Sequence, residues 1–158
     1  LGHAGYAGMS HLEVFLPDEA ATGRLARRLA PHLKPGDVIA LRGGLGAGKT
    51  TFARALISAL NGSDTDVPSP TYTLVQTYDT PGLTVFHFDL YRLDDPDEVM
   101  ELGWDETMDG LALIEWPDKA GDHLPQWRLD LTLEQTVDGR TARLEAFGED
   151  WQARLHGI

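Results

Sequence analysis

Apolar residues along the chain alternate between runs of period two and seams of period close to four, the pattern of strands interleaved with helices. Leu12 to Leu16 predicts a short first strand. Asp18 then opens a helix in which Ala21, Leu25, Leu29 and Leu33 repeat every four residues with Ala26 and Ala30 alongside, so this helix packs by one seam. Arg24, Arg27 and Arg28 lie off that seam and read as solvated surface, with docking of an acidic partner as the alternative. Lys34-Pro35-Gly36-Asp37 turns the chain, Pro presetting the first corner and Gly accepting positive φ at the second, into the apolar run Val38 to Leu41. A second helix is expected from Thr50: Phe52, Ala55, Leu56, Ala59 and Leu60 form one buried stripe, and Asn61-Gly62 supplies a left-handed stop.

A polar stretch, Ser63 to Pro70, precedes a strand of alternating character, Tyr72 to Tyr78. The turn Asp79-Thr80-Pro81-Gly82 joins it to a further strand, Thr84 to Asp89. Two strands with so short a turn form an antiparallel pair, so the sheet is expected to be mixed. Asp95-Pro96-Asp97-Glu98 has the chemistry of a helix start, for a short helix ending near Leu102-Gly103. Leu111 to Ile114 is a continuous apolar run, as in a strand buried on both faces, and Glu115 closes it. Leu129, Leu131 and Leu133 alternate with polar residues, Asp138-Gly139 makes a hairpin turn, Thr141 to Ala146 returns, and a last helix covers Asp150 to His156.

Between the second strand and the second helix lies the most specific chemistry. Gly43 to Thr50 read Gly-Gly-Leu-Gly-Ala-Gly-Lys-Thr and satisfy G-x-x-x-x-G-K-[ST]. Glycines let backbone N–H groups turn inward around phosphate oxygens, Lys49 can reach the outer phosphates, and the Thr50 hydroxyl can enter the coordination sphere of Mg2+. A chance glycine-rich turn would not arrive in the order strand, loop, helix. Together the elements predict an α/β fold of the P-loop NTPase type: three layers, with a mixed central β-sheet flanked by helices.

Composition narrows the setting. A chain of 158 residues fits one domain burying about 68–70% of its unfolded surface, read here as 11–158. Leu1 to Ser10, rich in Gly and Ala, reads as a flexible tail, with Met9 a natural start. Without cysteine, neither a disulfide framework nor a thiolate metal site can form, which suits a reducing cytoplasm. No apolar run approaches membrane-spanning length, so no membrane association is expected. The formal charge of -12, with Lys49 one of three lysines, repels nucleic acid. Direct DNA binding is not expected, and any RNA in this protein's work would be held by a partner.

Hydrolysis of a bound nucleotide needs acids at the carboxyl ends of neighbouring strands, where they orient Mg2+ and the attacking water. Asp89 and Glu115 each close an apolar strand and are the candidates for metal binding and for polarising the nucleophile. The alternative is that one of them caps a strand or pairs with Arg92. His87 shares a strand face with Asp89 and reads as a structural histidine before a metal ligand or proton relay. In Pro68-Ser69-Pro70-Thr71-Tyr72, Ser69 and Thr71 stand where nucleotide switches place a hydroxyl against the γ-phosphate; a proline-stiffened connector is the alternative. A guanine-reading N-K-x-D or T-K-x-D segment is missing, which favours ATP.

Gly-Gly-Leu-Gly-Ala-Gly-Lys-Thr-Thr, Val-Pro-Ser-Pro-Thr-Tyr-Thr-Leu-Val, Phe-His-Phe-Asp-Leu-Tyr-Arg-Leu and Leu-Ile-Glu-Trp-Pro, in this order and spacing, closely resemble the bacterial TsaE (YjeE) family from about Leu12 to Ala146. The resemblance implies a small P-loop ATPase that works with the TsaD and TsaB proteins on the N6-threonylcarbamoyl modification of adenosine in certain tRNAs, resetting the complex while TsaD transfers the group. It further implies that Leu45, Gly46, Ala47, Gly48, Lys49 and Thr50, with the adjoining Thr51, enclose the phosphates, and that Thr50 and Glu115 bind Mg2+. Asp89 would assist hydrolysis at the metal, Ser69 and Thr71 would sense the γ-phosphate, and Glu19 and Thr22 would border the adenine. Trp116 would lie near the site. Gly44 stands where the family usually has an acidic residue, which would loosen the loop's outer support.

No arginine cluster falls where a finger or kinase lid is expected, so turnover should be slow alone and faster with partners. The competing class is a small-molecule kinase, which the Arg-free span from Leu93 to Trp127 disfavours. A noncatalytic nucleotide-gated adaptor is the third reading.

Overall fold

The computed structural model describes residues 11–68, 70 and 73–158. The expected tail, Leu1 to Ser10, and the expected γ-phosphate sensors Ser69 and Thr71 lie outside the described residues.

Among the described residues seven strands form one sheet in the order β1-β7-β6-β2-β5-β4-β3. In chain order they are β1 (His11–Leu16), β2 (Val38–Arg42), β3 (Val75–Thr80), β4 (Leu83–Asp89), β5 (Leu111–Glu115), β6 (Arg128–Thr136) and β7 (Gly139–Phe147). The middle strands β6, β2, β5 and β4 run parallel, while β1–β7, β6–β7 and β3–β4 are antiparallel, so the sheet is mixed as expected. The sequences of β2 and β5, Val-Ile-Ala-Leu-Arg and Leu-Ala-Leu-Ile-Glu, explain their central place: an unbroken apolar run suits a strand covered on both faces.

Among the described residues three α-helices, α1 (Glu19–Leu29), α2 (Lys49–Asn61) and α3 (Glu149–Leu155), accompany the sheet. Asp18 caps α1 as its sequence predicts, its side chain accepting from the Ala21 N–H at 2.9 Å. On the face carrying α1 and α2, Leu25, Leu29, Phe52, Leu56 and Ile57 pack with Ile39, Leu41, Leu111, Leu113 and Leu131. On the other face Phe88, Leu90, Val99, Trp104, Ala112, Ile114 and Ala120 form a second core, with the rings of Phe88 and Trp104 edge to face at 5.1 Å. Strand alternation divides the two: Leu111 and Leu113 of β5 point one way, Ala112 and Ile114 the other.

Three local readings change. The segment opened by Asp95 is a 3-10 helix, Pro96–Leu102, followed by two more, Trp104–Asp109 and Pro117–His123, so short tight helices cover the second face. The buried stripe of α2 is Phe52, Ala53, Leu56 and Ile57, with Ala55, Ala59 and Leu60 only half-buried. This helix is wedged between the sheet and α1, and that position turns a different arc inward than period counting selects. Lastly, β3 starts at Val75, directly after Leu74 at φ 68, and Tyr72, its expected start, lies outside the described residues. The Leu74 N–H donates to the Pro70 carbonyl at 2.6 Å, and its own carbonyl accepts from the Asp89 N–H at 2.9 Å. The strand then runs on to Thr80, leaving Pro81-Gly82 as a two-residue hairpin turn.

No helix among the described residues is long and apolar enough to cross a membrane.

Candidate functional site

Parallel pairing brings the carboxyl ends of β2, β5 and β4 side by side, and the glycine-rich loop leaves from the first of them. Gly43 and Gly48 there hold positive φ, and Gly43 is required by space as well. At Gly43 (φ 141) a Cβ would stand 2.5 Å from the Leu133 carbonyl oxygen, and at Gly48 (φ 101) it would press 3.1 Å from Arg140 Nε. Gly44 is different, since a Cβ there would meet nothing within 4 Å. Gly48 caps α2 without a side-chain bond, so amides of the first turn remain for a ligand and the helix begins at Lys49, one residue before the expected Thr50.

Lys49 is buried, with 6% exposure. Its Nζ donates to the Gly43 carbonyl at 2.6 Å and sits 3.7 Å from the centroid of the Trp116 ring. Burial pulls its pKa below the ordinary lysine value, while the nearby Glu115 and Asp89 carboxylates oppose that shift. Trp116 meets Lys49 because it takes a left-handed backbone conformation directly after β5, φ 57 and ψ 53, and its ring also leans on Tyr91 at 4.9 Å.

Asp89 and Glu115 are register partners across β4 and β5, both almost fully buried. Asp89 Oδ1 accepts from the Tyr91 N–H at 3.0 Å. Glu115 Oε2 lies 2.6 Å from Nε2 of His87, a fully buried ring one pleat below. Side-chain alternation puts all three on the face toward α2, the face that also carries Lys49. No group of three or more metal-binding side chains occurs among the described residues. Two carboxylates and the Thr50 hydroxyl are nonetheless a suitable donor set for Mg2+, which keeps waters and takes much of its shell from phosphate oxygens.

Reading along the chain misses Arg140. It follows the β6–β7 hairpin turn in a sequence with no phosphate-binding signature, yet the hairpin lies beside β2 and brings the guanidinium against Gly48. Its Nε is buried with no hydrogen-bond partner. Arg42, ending β2, anchors the other flank: it donates to Asp118 at 2.6 Å and Asp130 at 3.0 Å, tying the segment after Trp116 to the sheet. Burial lowers the pKa of Arg42, but those two carboxylates outweigh it and hold the value above normal.

The residues expected to border the adenine separate. Glu19 and Thr51 line an open groove of about 960 Å³ between α1 and α2, together with Arg27 and Arg54. Thr22 is buried within α1 and does not line it. Leu45, at the loop's tip, is 74% exposed. The described flank of the Ser69–Thr71 segment, Pro70, is bonded to Leu74 and through it to Asp89.

Residues 16–143 match the model of the family described as threonylcarbamoyl adenosine biosynthesis protein TsaE. The tRNA threonylcarbamoyladenosine biosynthesis protein TsaE of Rickettsia felis is 49% identical over 104 residues, covering 65% of this chain and 61% of that protein. The chain thus matches about three fifths of that relative's length. The protein of the same name from Rickettsia bellii is 40% identical over 133 residues, 84% of this chain and 92% of its own. The crystal structure of YdiB from Bacillus subtilis superposes with a TM-score of 0.79 at 31% identity, covering 92% of each chain. The matched span holds the loop, both strand-end acids, Trp116 and Arg140, and the chain belongs to the TsaE family.

Proposed function

We propose that this protein binds and hydrolyses ATP with Mg2+, as one ATPase domain over 11–158, and that it serves the threonylcarbamoyladenosine modification of tRNA together with TsaD and TsaB. One observation carries the reading: a buried lysine inside a glycine-constrained loop faces two buried carboxylates held in register on adjacent parallel strands. Acids and an ammonium group gathered at the end of a hydrophobic sheet are costly unless a ligand uses them. The names of the relatives supply the pathway.

In this reading the amides of residues 45–51 receive phosphate oxygens, and Lys49 leaves Gly43 and Trp116 for the outer phosphates. Thr50 and Glu115 would hold Mg2+, which would supply the charge that neutralises the phosphates, and Asp89 would join them and orient the attacking water. Arg140, with its unmet Nε beside Gly48, adds a cation at the loop that sequence alone does not reveal. Ser69 and Thr71 would sense the γ-phosphate, and Glu19, on the open groove, would border the base, whereas the buried Thr22 would not line it. The net charge of -12 supports contact with tRNA through the partners rather than directly, in the cytoplasm.

A small-molecule kinase would need cations closing over an acceptor, and the span from Leu93 to Trp127 is rich in acids and free of arginine. The test is phosphate release measured alone and with TsaB plus TsaD. Faster release with the partners present supports the reading, whereas equal rates, or phosphate appearing on an added metabolite, reject it.

A further inference from the structure

Among the described residues, His87 is the fully buried polar residue whose presence neither the sheet nor the core explains. It faces the α2 side of β4 between Val85 and Asp89, its register partners are Leu113 on β5 and Gln76 on β3, and the ring is fully buried. Nε2 meets Glu115 Oε2 at 2.6 Å; Nδ1 has no hydrogen-bond partner. A hydrogen on Nε2 makes the ring the donor and leaves Nδ1 with only a lone pair to satisfy, the less costly way to bury this half-met group. The bond gained and the nitrogen left bare are opposing effects of the same order, so the net contribution of the ring to the core is small. Stability does not account for a histidine here.

The surroundings of Glu115 suggest what does. Lys49 feels the charge of Glu115, yet no ion pair joins them among the described residues; the ammonium rests instead on the Gly43 carbonyl and the Trp116 ring. We infer that His87 is a positioning residue, which pins one oxygen of Glu115 and keeps the carboxylate turned to the metal position instead of collapsing onto Lys49. Without that tether Glu115 would close on the nearest cation, withdrawing a magnesium ligand and a phosphate ligand together. The inference rests on the nucleotide reading above and adds to it a residue that touches neither phosphate nor metal.

Two variants test it, His87→Leu, which removes the donor while keeping bulk, and His87→Gln, which can place an amide N–H near Nε2; His87→Met replaces the leucine variant should that fail to fold. Each is titrated with Mg2+ in the presence of a slowly hydrolysed ATP analogue, binding is followed by calorimetry, and thermal melting is recorded alongside. His87→Leu is expected to need about 10- to 100-fold more Mg2+ for half-saturation, with a normal melting transition, and His87→Gln to recover most of that loss. Before any ligand is added, tryptophan emission should also shift in His87→Leu as Lys49 is drawn off the Trp116 ring, and should not shift when Trp116 is replaced by Phe in the same background. An unchanged Mg2+ requirement in His87→Leu overturns the inference while leaving the ATPase reading standing. So does equal weakening in the leucine and glutamine variants at equal melting temperatures. Wild-type protein that takes up no nucleotide with Mg2+ overturns both.

Discussion

The two ends of the central strands treat buried charge in opposite ways. At the amino end, Asp37 precedes β2 with 5% exposure, and its carboxylate is met from every side: Arg154 grips it through two bonds of 2.6 and 2.8 Å, and the Lys34 N–H donates at 2.8 Å. Arg154 also bonds Asp150 at 2.8 Å and the His32 carbonyl at 2.8 Å while stacking on Trp151 at 3.7 Å. At the carboxyl end, Lys49 rests on one carbonyl and one ring, and Nδ1 of His87 and Nε of Arg140 lack partners. Both ends enclose charge within the same sheet. The Asp37 carboxylate is fully met and fastens turn, strand and helix α3, although Nε of Arg154 is itself buried without a partner; in the proposed reading Lys49 and Arg140 are left to meet phosphate, and His87 to position Glu115.

Mutation can break this contrast at either end. The largest effect is expected from Lys49→Ala, which should abolish productive ATP binding while leaving the melting transition cooperative; phosphate release at the wild-type rate would show that the site lies elsewhere. Arg154→Ala should do the reverse. It strands a buried Asp37 carboxylate, so chemical denaturation should report a loss of about 3–5 kcal/mol, with the nucleotide site still functional in whatever protein remains folded. A loss below about 1 kcal/mol, the level of an exposed pair, would mean that the amino end is not the fastened one. The smallest effect concerns Asp150, an exposed partner of Lys34 and Arg154. Its slight burial raises its pKa, but bonds and charge from Lys34 and Arg154 outweigh this and hold it below the ordinary aspartate value. A carboxyl depressed in the folded state contributes stability above its unfolded value, near 3.9, and loses it as pH falls through the lower folded one. Acid unfolding of Asp150→Asn should therefore lack a small part of the wild-type decline in that window, and superimposable curves would remove Asp150 from the network.

Contiguity decided what could be read from the chain. The loop from Gly43 to Thr50, the strands closed by Asp89 and Glu115, and the caps at Asp18 and Gly62 are local patterns, and the structure places them as the pattern implies. Trp116 could be put near the loop only through a resemblance, because its left-handed backbone has no spacing signature. Arg140 and the Asp37–Arg154 clasp escaped because each joins residues brought together by strand order, 92 positions apart for Gly48 and Arg140 and 117 for the clasp. The inward arc of α2 was misjudged for a related reason: packing against two neighbours, not helical period, decides which residues are covered. His87 was read as a satisfied structural residue, and its unpartnered Nδ1 shows that description to be only half right.

The central claim is that the half-met charges around Lys49 form a seat for Mg-ATP. Calorimetric titration of the purified protein with ATP, run with Mg2+ and again with the metal chelated, tests it most directly. The account predicts saturable binding that strengthens with Mg2+ and disappears in Lys49→Ala. Binding indifferent to both the metal and Lys49, or no binding with or without TsaB and TsaD, would contradict it.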